Sequence, residues 1–573
     1  MYPPISIRMR LIEILLMTLG GVWQGIRQDW NLLEIALILA AAWAWKKKGW
    51  RPAFHWSPKL ERPWLWALAI AGGAIALRLA LIPLLPIPIP IVTDEFSHLL
   101  LADTLLHGRL ANPTHPFWPH FESIHIIQQP HYASNYFPGH AVLLALGRLA
   151  IGSAWAGVLA ETFIFLLSLY WALRGWMPPR WAVFGVLLAA LRFGIGSYWV
   201  NAYHGGFLPA IGGALVAGAF PRLRERISAA RALALGTGLA VLAATRPFEG
   251  FFVAAPFLAV LTWHHRRRWK SLAKIGLPAA VPVAIVLAGL GVYFSHVTGS
   301  PIVTTYQISQ RTYGWPMALA WRTPPAVHEP NSEMQDYYDY EIGEHERVSG
   351  PLNMLEYATF RLQEYWRFFL GPVLTIPLVM LGKVWRRRGM LFAGVCGGLA
   401  AISMEGASSP HYLAPATAMI VAIVVECCRY LNAGRLRIAP LLPATLALVL
   451  GLRIGAQSLD LPYTQALNFQ SWCCRVEGNL NKSRITAELN RTPGAHLVFV
   501  EPKTSTANLF QWIYNDADID RSRIVWARDL GPARNAELAA YFSGRKVWRV
   551  NPNVEPAGLE SYDAAASSVR AAR

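Results

Sequence analysis

The chain has 573 residues, of which 54% are hydrophobic and only 15% are charged, and its mean hydropathy is +0.31. This composition excludes an ordinary soluble domain and is typical of a protein with many membrane-spanning helices. The formal net charge of +18 would indicate nucleic acid for a soluble protein, but the basic residues stand in short clusters between apolar segments. Such clusters mark the cytoplasmic connections of membrane proteins, so no nucleic-acid partner is predicted.

Apolar segments long enough to cross ~30 Å of hydrocarbon recur between about residue 11 and residue 455. They predict a polytopic α-helical membrane protein with roughly 11–14 transmembrane helices. Basic connections alternate with connections rich in acidic residues, and the positive-inside rule places the acidic set outside the cytoplasm. We therefore expect a multi-pass protein of the inner (cytoplasmic) membrane. Cytoplasmic and outward connections alternate consistently along the chain if just one of the segments 141–151 and 156–173 crosses the membrane fully.

Two units are expected along the chain, a multi-span domain at residues 1–455 and a small outward-facing α/β domain at residues 456–573. The multi-span domain contains a first outward loop at 86–140 and a long outward loop at 295–364. The long loop is rich in carboxylates, which are expected to be mostly solvated or to cap a site. In the C-terminal domain, strand patterns and one helical pattern are read at residues 496–500, 524–527, 547–550 and 535–542.

Asp94 and Glu95 open the first outward loop, directly after the proline-rich end of a span. A carboxylate held at the membrane surface can take a proton from an acceptor hydroxyl. The alternative is that the two acids are simply solvated and have no catalytic role. The same loop is dense in imidazole, amide and acidic groups, including Glu122 and Gln129, which suit a sugar site. Histidine and carboxylate also suit a divalent metal, but no tight ligand spacing is present. The cofactor is therefore left open, and no metal site is predicted.

Later outward turns offer groups for binding a phosphate and a sugar. Arg246 stands between two spans, where its guanidinium suits two phosphate oxygens, and a local ion pair with Glu249 is the alternative. His411 and Tyr412 open a late helix whose N-terminus favours an anion, although a capping histidine without a ligand fits equally well. A third turn places an amide and an imidazole among aromatic residues, a usual surface for sugars: Asn201 and His204.

Taken in chain order, these motifs resemble the GT-C superfamily of membrane glycosyltransferases, close to the glycosyltransferase family 39-like branch of protein mannosyltransferases and aminoarabinose transferases. The resemblance covers most of residues 60 to 455 and rests on four features: the Asp94-Glu95 pair, the proline-rich segment near Pro138, the Thr245-Arg246 turn and the His411-Tyr412 pair. It implies a GT-C-like fold, a polyprenyl-phosphate-linked sugar donor and Asp94 as catalytic base. Relatives often carry Thr-Lys-Gly where this chain has Thr-Arg-Pro, so the role of Arg246 departs from the family pattern.

The function that follows is an inverting glycosyltransferase, a hexosyl- or pentosyltransferase, acting on the non-cytoplasmic membrane face. It would move sugar from a polyprenyl-phosphate donor to a glycan, lipid or protein acceptor. The predicted catalytic residues are Asp94 and Glu95, and the predicted substrate or lipid-phosphate contacts are Arg246, His411, Tyr412, Asn201, His204, Glu122 and Gln129. The alternatives are a transporter or flippase, which would keep its functional ions near the middle of the membrane, and a non-catalytic assembly subunit.

Overall fold

The computed structural model describes residues 13, 16, 31–47, 62–313, 319–324, 331–406, 409–433, 439–459, 461, 470–474, 478–503 and 512–562. Most of these residues are helical. The helices are α1 Asn31–Lys47, α2 Pro63–Ala80, α3 Thr93–Leu106, α4 Gly139–Ile151, α5 Trp155–Leu173, α6 Pro179–Phe193, α7 Phe207–Glu225, α8 Ala229–Ala243, α9 Pro247–His265, α10 Trp269–Thr298, α11 Thr305–Tyr313, α12 Ser332–Val348, α13 Pro351–Phe369, α14 Gly371–Thr375, α15 Leu381–Ser403, α16 Thr417–Ala433, α17 Leu441–Ser458, α18 Leu480–Arg491 and α19 Pro532–Tyr541.

Shorter elements complete the described part of the chain. The 3-10 helices are Trp118–Phe121, Ile376–Met380 and Pro410–Ala416. The strands are β1 Ile126–Ile127, β2 Ala133–Ser134, β3 His496–Val500, β4 Ile524–Arg528, β5 Lys546–Val550 and β6 Leu559–Ser561. The predicted α-helical architecture is thereby confirmed.

Several helices can cross a bilayer by length and composition. Within the described ranges, 5 helices pass this test, namely α2, α5, α10, the helix Pro410–Ala433 and α17, and a bent pair formed by α13 with Gly371–Ser403 raises the number to 6. Others, such as α4 and α8, are apolar but shorter than the ~20 residues that a straight crossing needs. Of the segments 141–151 and 156–173, only the second meets the length requirement, while the alternation of sides stays a prediction. The larger number of roughly 11–14 spans stays a prediction.

The outer surface of α10 is apolar. Leu277, Val281 and Ile285 are each more than half exposed. Large apolar side chains in one exposed stripe are unfavourable in water, and hydrocarbon covers them without cost. This face of α10 is therefore suited to contact with lipid.

The C-terminal residues form a four-stranded sheet in the order β4-β3-β5-β6, in which only β6 runs antiparallel. The three predicted strands are found within one residue of the expected positions, and the predicted helix begins three residues earlier and ends one residue earlier than expected. The sheet shares a hydrophobic cluster with the first outward loop, because Leu497 and Phe499 of β3 pack with Phe121 and Tyr132. The tyrosine hydroxyl also donates to the carbonyl oxygen of Asn515 at 3.0 Å. The domain thus supports the loop that carries Asp94, while its boundary at residue 456 stays a prediction.

Candidate active site

Asp94 lies in the first turn of α3, and one oxygen of its carboxylate is held by two neighbours. The Tyr136 hydroxyl donates to Oδ1 at 2.6 Å, and Nδ1 of His125 lies 2.7 Å from the same oxygen. Within the described chain, no hydrogen bond or ion pair involves Oδ2. The Asp94 side chain is 25% exposed. One oxygen is therefore fixed by the protein, and the other is available to a ligand.

The electrostatic surroundings keep the Asp94 carboxylate ionised. Burial by itself would raise its pKa, but the charge and hydrogen bond of His125 lower it, as do His204 and the Tyr136 hydroxyl. The balance places the pKa of Asp94 well below its usual range. Asp94 is thus a carboxylate at neutral pH, the state that a proton acceptor requires.

Glu95, the second acid of the pair, points away from Asp94 and is fully buried. Its Oε1 accepts the backbone N–H of Ile91 at 2.8 Å and that of Val92 at 3.4 Å, as a third helical residue does in a capping box. Its Oε2 accepts the backbone N–H of Tyr203 at 2.9 Å. Glu95 therefore ties the start of α3 to the turn at residues 198–206, and this geometry fits a positioning role.

His125 is central to the site, although the sequence motifs did not single it out from the other histidines of the loop. Its φ of 61° is in the left-handed region, which is unfavourable for a residue with a side chain. Ser97 Oγ donates to its carbonyl oxygen at 2.7 Å, and the Thr93 hydroxyl lies 2.8 Å from Nδ1. A strained backbone held by several contacts is typical of functional sites. The positive φ, the best marker of His125, is invisible in a sequence.

His98, one turn after Asp94 on α3, contributes a second imidazole. Its ring stacks on Tyr136 at a centroid distance of 4.7 Å and meets the edge of His140 at 5.0 Å. Burial, followed by the nearby His140, lowers the pKa of His98 well below its usual value, whereas the Asp94 charge opposes the shift. Arg246 and His204 also act on this ring, so it lies within electrostatic range of the other site residues. His98 is neutral at physiological pH.

Arg246 precedes the first turn of α9 and has two partners. Its guanidinium lies 3.9 Å from the ring centre of Tyr412, and its Nη1 is 3.3 Å from Oε1 of Glu249. Both the expected ligand-binding arginine and the alternative local ion pair are therefore compatible with the structure. A third acid lies close by, since burial and then the charge of Glu249 raise the pKa of Glu405 well above its usual value. Burial also raises the pKa of Glu249, an effect that the charge of Arg246 opposes.

His411 and Tyr412 are brought to the site by a close helix contact. The 3-10 helix Pro410–Ala416 approaches α7 at Gly213, where a Cβ would lie only 1.7 Å from the carbonyl oxygen of Pro415. Nδ1 of His411 is 3.0 Å from the Tyr198 hydroxyl. The backbone N–H of His411 donates to the same hydroxyl at 3.0 Å.

The turn at residues 198–206 contributes His204 and not the amide of Asn201. The His204 and His411 rings have centroids 5.3 Å apart, and His204 acts on the pKa of Asp94. Asn201 is used inside the protein, where its Oδ1 accepts from Nε of Arg78 at 2.6 Å. Its Nδ2 donates to the carbonyl oxygens of Ile195 and Ser197. Asn201 therefore holds the turn in place, and a direct sugar contact has no support in this arrangement.

The two remaining predicted contacts lie elsewhere in the first loop. Glu122 is buried, and its Oε2 accepts from Nδ2 of Asn331 at 3.2 Å. Burial raises the pKa of Glu122, while Asn331 and Arg528 oppose the shift. Glu122 therefore joins the first loop to the start of α12. Gln129 is exposed, and the structure does not bring it to Asp94.

Helix α12, from the segment 295–364, contributes a tyrosine to the site. The Tyr337 hydroxyl lies 3.1 Å from Nε2 of His125 and donates to Oε1 of Glu341 at 2.9 Å. Its acidic residues are thus not all solvated, because Glu341 is buried beside the site. Within the described residues, no group of three or more His, Cys, Asp or Glu side chains is placed to hold a metal ion.

Three solved structures show what this chain is similar to. The apo form of the Archaeoglobus fulgidus oligosaccharyltransferase is 10% identical, over 87% of this chain and 70% of that chain, with a TM-score of 0.46. ArnT from Cupriavidus metallidurans is 13% identical in its apo state, over 84% of this chain and 93% of that chain, with a TM-score of 0.46. The same protein bound to undecaprenyl phosphate is 12% identical, over 85% and 93% of the two chains, with a TM-score of 0.48.

The matched structures are thus those of an oligosaccharyltransferase and of ArnT. No family model and no curated protein sequence matches the chain significantly. A similarity at these identities, with TM-scores below 0.5, concerns the general course of the chain and not the chemistry of a site.

Proposed function

We propose that this protein is an inverting glycosyltransferase that moves a sugar from a polyprenyl-phosphate donor to an acceptor hydroxyl on the non-cytoplasmic face of the membrane. The observation that carries the proposal is the Asp94 carboxylate, ionised, partly exposed and held through Oδ1 alone. A carboxylate fixed in this way can present Oδ2 to an acceptor. Asp94 and Arg246 both act electrostatically on His98, so a cation that suits the phosphate of a lipid-linked donor belongs to the same site.

The reaction balances as a single displacement at the anomeric carbon of the donor sugar. The acceptor oxygen attacks this carbon while Oδ2 of Asp94 takes the hydroxyl proton. The bond between the anomeric carbon and the phosphate oxygen breaks, and its electron pair leaves with the polyprenyl phosphate. General-base assistance of this kind contributes about 10²–10⁴-fold to a rate.

The phosphate requires a positive group, for which we propose Arg246. Its guanidinium is oriented by the Tyr412 ring and by Glu249, and His411 lies within electrostatic range. Two N–H donors of one guanidinium match two phosphate oxygens, and fixed donors in a dry site stabilise a departing anion. Glu95 would position the Asp94 turn without touching the substrate.

The test is a transfer assay with the purified protein and a panel of polyprenyl-phosphate hexoses and pentoses. Asp94→Asn keeps the shape of the side chain but removes its proton affinity, so transfer should fall by at least ~10²-fold. The matched control is Asp339→Asn, which changes an exposed acid on α12 and should leave the rate unchanged. Transfer by Asp94→Asn within a few-fold of wild type would remove Asp94 as the base. Movement of the lipid-linked sugar across vesicles without any transfer product would instead support a flippase.

A further inference from the structure

We propose that His125 is the residue that positions the catalytic carboxylate, and that Tyr337 from the long outward loop holds His125 in the required orientation. The inference deepens the proposed function and rests on Asp94 acting as a base. It assigns a task to α12, whose acidic and aromatic sequence gives no indication of its partner. It also makes the site a composite of two outward loops.

The imidazole of His125 is engaged at both of its nitrogens. Nδ1 is 2.7 Å from Oδ1 of Asp94, and Nε2 is 3.1 Å from the Tyr337 hydroxyl. The ring is turned edge-on to the Tyr337 ring, with an interplanar angle of 87° and a centroid distance of 5.5 Å. An imidazole nitrogen this close to a carboxylate carries the proton and donates it, so Nδ1–H points to Asp94. The partner at Nε2 fixes the rotation of the ring.

The backbone conformation of His125 directs its ring toward Asp94. At φ 61° a glycine or asparagine would be less strained, yet a histidine occupies the position. Ser97 Oγ and the backbone N–H of Asn135 both donate to the His125 carbonyl oxygen, at 2.7 and 3.2 Å. These contacts hold the left-handed conformation, and the side chain then reaches Asp94.

The consequence for Asp94 is geometric and electrostatic. His125 and Tyr136 both contact Oδ1 of Asp94, so the orientation of the carboxylate group is fixed. The direction in which Oδ2 can accept a proton is therefore fixed as well. The charged and titratable groups that face His125 are Asp94 from α3, Tyr136 from the first loop, and Tyr337 with Glu341 behind it from α12. His125 also stabilises the ionised form of Asp94. Without His125, the effect of burial remains and the pKa of Asp94 rises.

The experiment compares His125→Asn and His125→Gly, both of which tolerate the left-handed backbone, with His107→Asn, a change at an exposed histidine that directly follows helix α3. Turnover at neutral pH should fall on the order of 10²-fold in both His125 variants, with little change in KM for the lipid donor. The acid limb of the rate profile should move to higher pH, since Asp94 is then protonated more easily. Added imidazole should restore part of the rate of His125→Gly, which leaves a cavity of the right shape.

A second pair of variants tests the contribution of α12. Tyr337→Phe removes the hydroxyl that contacts Nε2 of His125. Turnover should fall about 10-fold, a smaller loss than in the His125 variants. Tyr340→Phe removes an exposed hydroxyl one turn away and should have no effect. The inference is overturned if the His125 variants keep the wild-type rate and pH profile, or if imidazole has no effect on a folded His125→Gly. Transfer by Asp94→Asn would instead contradict the proposed function itself, so the two failures are distinguishable.

Discussion

The guanidinium of Arg246 stacks on the ring of Tyr412 at 3.9 Å, although the two residues are far apart in sequence. A cation held over an aromatic face keeps its outward N–H groups directed, and a planar guanidinium does this better than an ammonium. This arrangement is compatible with two different roles for Arg246. In one it binds the donor phosphate, and in the other it only neutralises Glu249.

Two variants of Arg246 and one of Glu249 distinguish these roles. Arg246→Ala removes the charge and should lower donor use by about 10²-fold or more, as for the loss of one stabilising group at a developing anion. Arg246→Lys keeps the charge but not the two-pronged geometry, so it should retain more activity than the alanine variant. The measurement is transfer rate against lipid-donor concentration, together with thermal stability.

Glu249→Ala is the control for the Arg246 series. It removes the ion-pair partner at 3.3 Å and leaves the cation over Tyr412. If Arg246 serves only this pair, Glu249→Ala and Arg246→Ala should lose equal stability while the rate per folded molecule is unchanged. That result would take Arg246 out of the site.

The sidedness of the membrane domain can be tested with single cysteines. On the proposed topology, cysteines at Ser332 and Ser543 should react with an impermeant thiol reagent added outside intact cells. A cysteine at Gly389, in the basic segment Arg386-Arg387-Arg388-Gly389 of α15, should react only after permeabilisation. Each is placed in a background without the native cysteines that shows normal expression. The reverse labelling pattern would put Asp94 on the cytoplasmic side.

The sequence motifs predicted the helical membrane architecture and the C-terminal strands because hydropathy and alternation are local signals. They also singled out Asp94, Arg246, His204, His411 and Tyr412, and these residues lie within electrostatic range of one another in the structure. Local patterns could not assign partners over long separations. Asn201 was expected to bind sugar, but it is engaged by Arg78, 123 residues away. His125 was one imidazole among several in the loop, and only its backbone conformation and contacts distinguish it.

Arg528 on β4 connects the C-terminal sheet to the first loop at 86–140 and to helix α12. Its Nη1 forms an ion pair with Glu333 of α12, and its Nη2 donates to the carbonyl oxygen of Glu122 at 3.1 Å. Only 5% of the arginine side chain is exposed, so its loss leaves a poorly solvated carboxylate and an unpaired carbonyl. Arg528→Ala should therefore loosen α12 and lower both stability, by about 3 kcal/mol, and turnover.

The control for Arg528 is Arg521→Ala, at a residue 88% exposed and paired only at 3.7 Å with Asp518. A surface pair of this kind contributes about 0–1 kcal/mol, so neither stability nor rate should change noticeably. Proteolysis within residues 331–350 reports the docking of α12 directly. A fully active Arg528→Ala with normal protease resistance would show that the C-terminal domain does not support the site.

Glu95 and Asp94 are neighbours with opposite expected behaviour. The Glu95 carboxylate is fully buried and accepts three backbone N–H groups, from Ile91, Val92 and Tyr203. Glu95→Gln replaces one oxygen by an NH₂ group that cannot accept, so one buried backbone N–H faces another donor. Leaving such a group unsatisfied costs about 1–3 kcal/mol. We therefore expect Glu95→Gln to lower the thermal stability clearly while the surviving folded molecules retain substantial transfer activity.

Asp94→Asn should show the reverse, normal stability and almost no transfer, because its Oδ2 faces a ligand and not the backbone. Measuring unfolding and rate per folded molecule for both variants in one detergent separates the two roles. A Glu95→Gln protein of wild-type stability that has lost transfer would make Glu95 a participant in the chemistry and would contradict its assignment as a positioning residue.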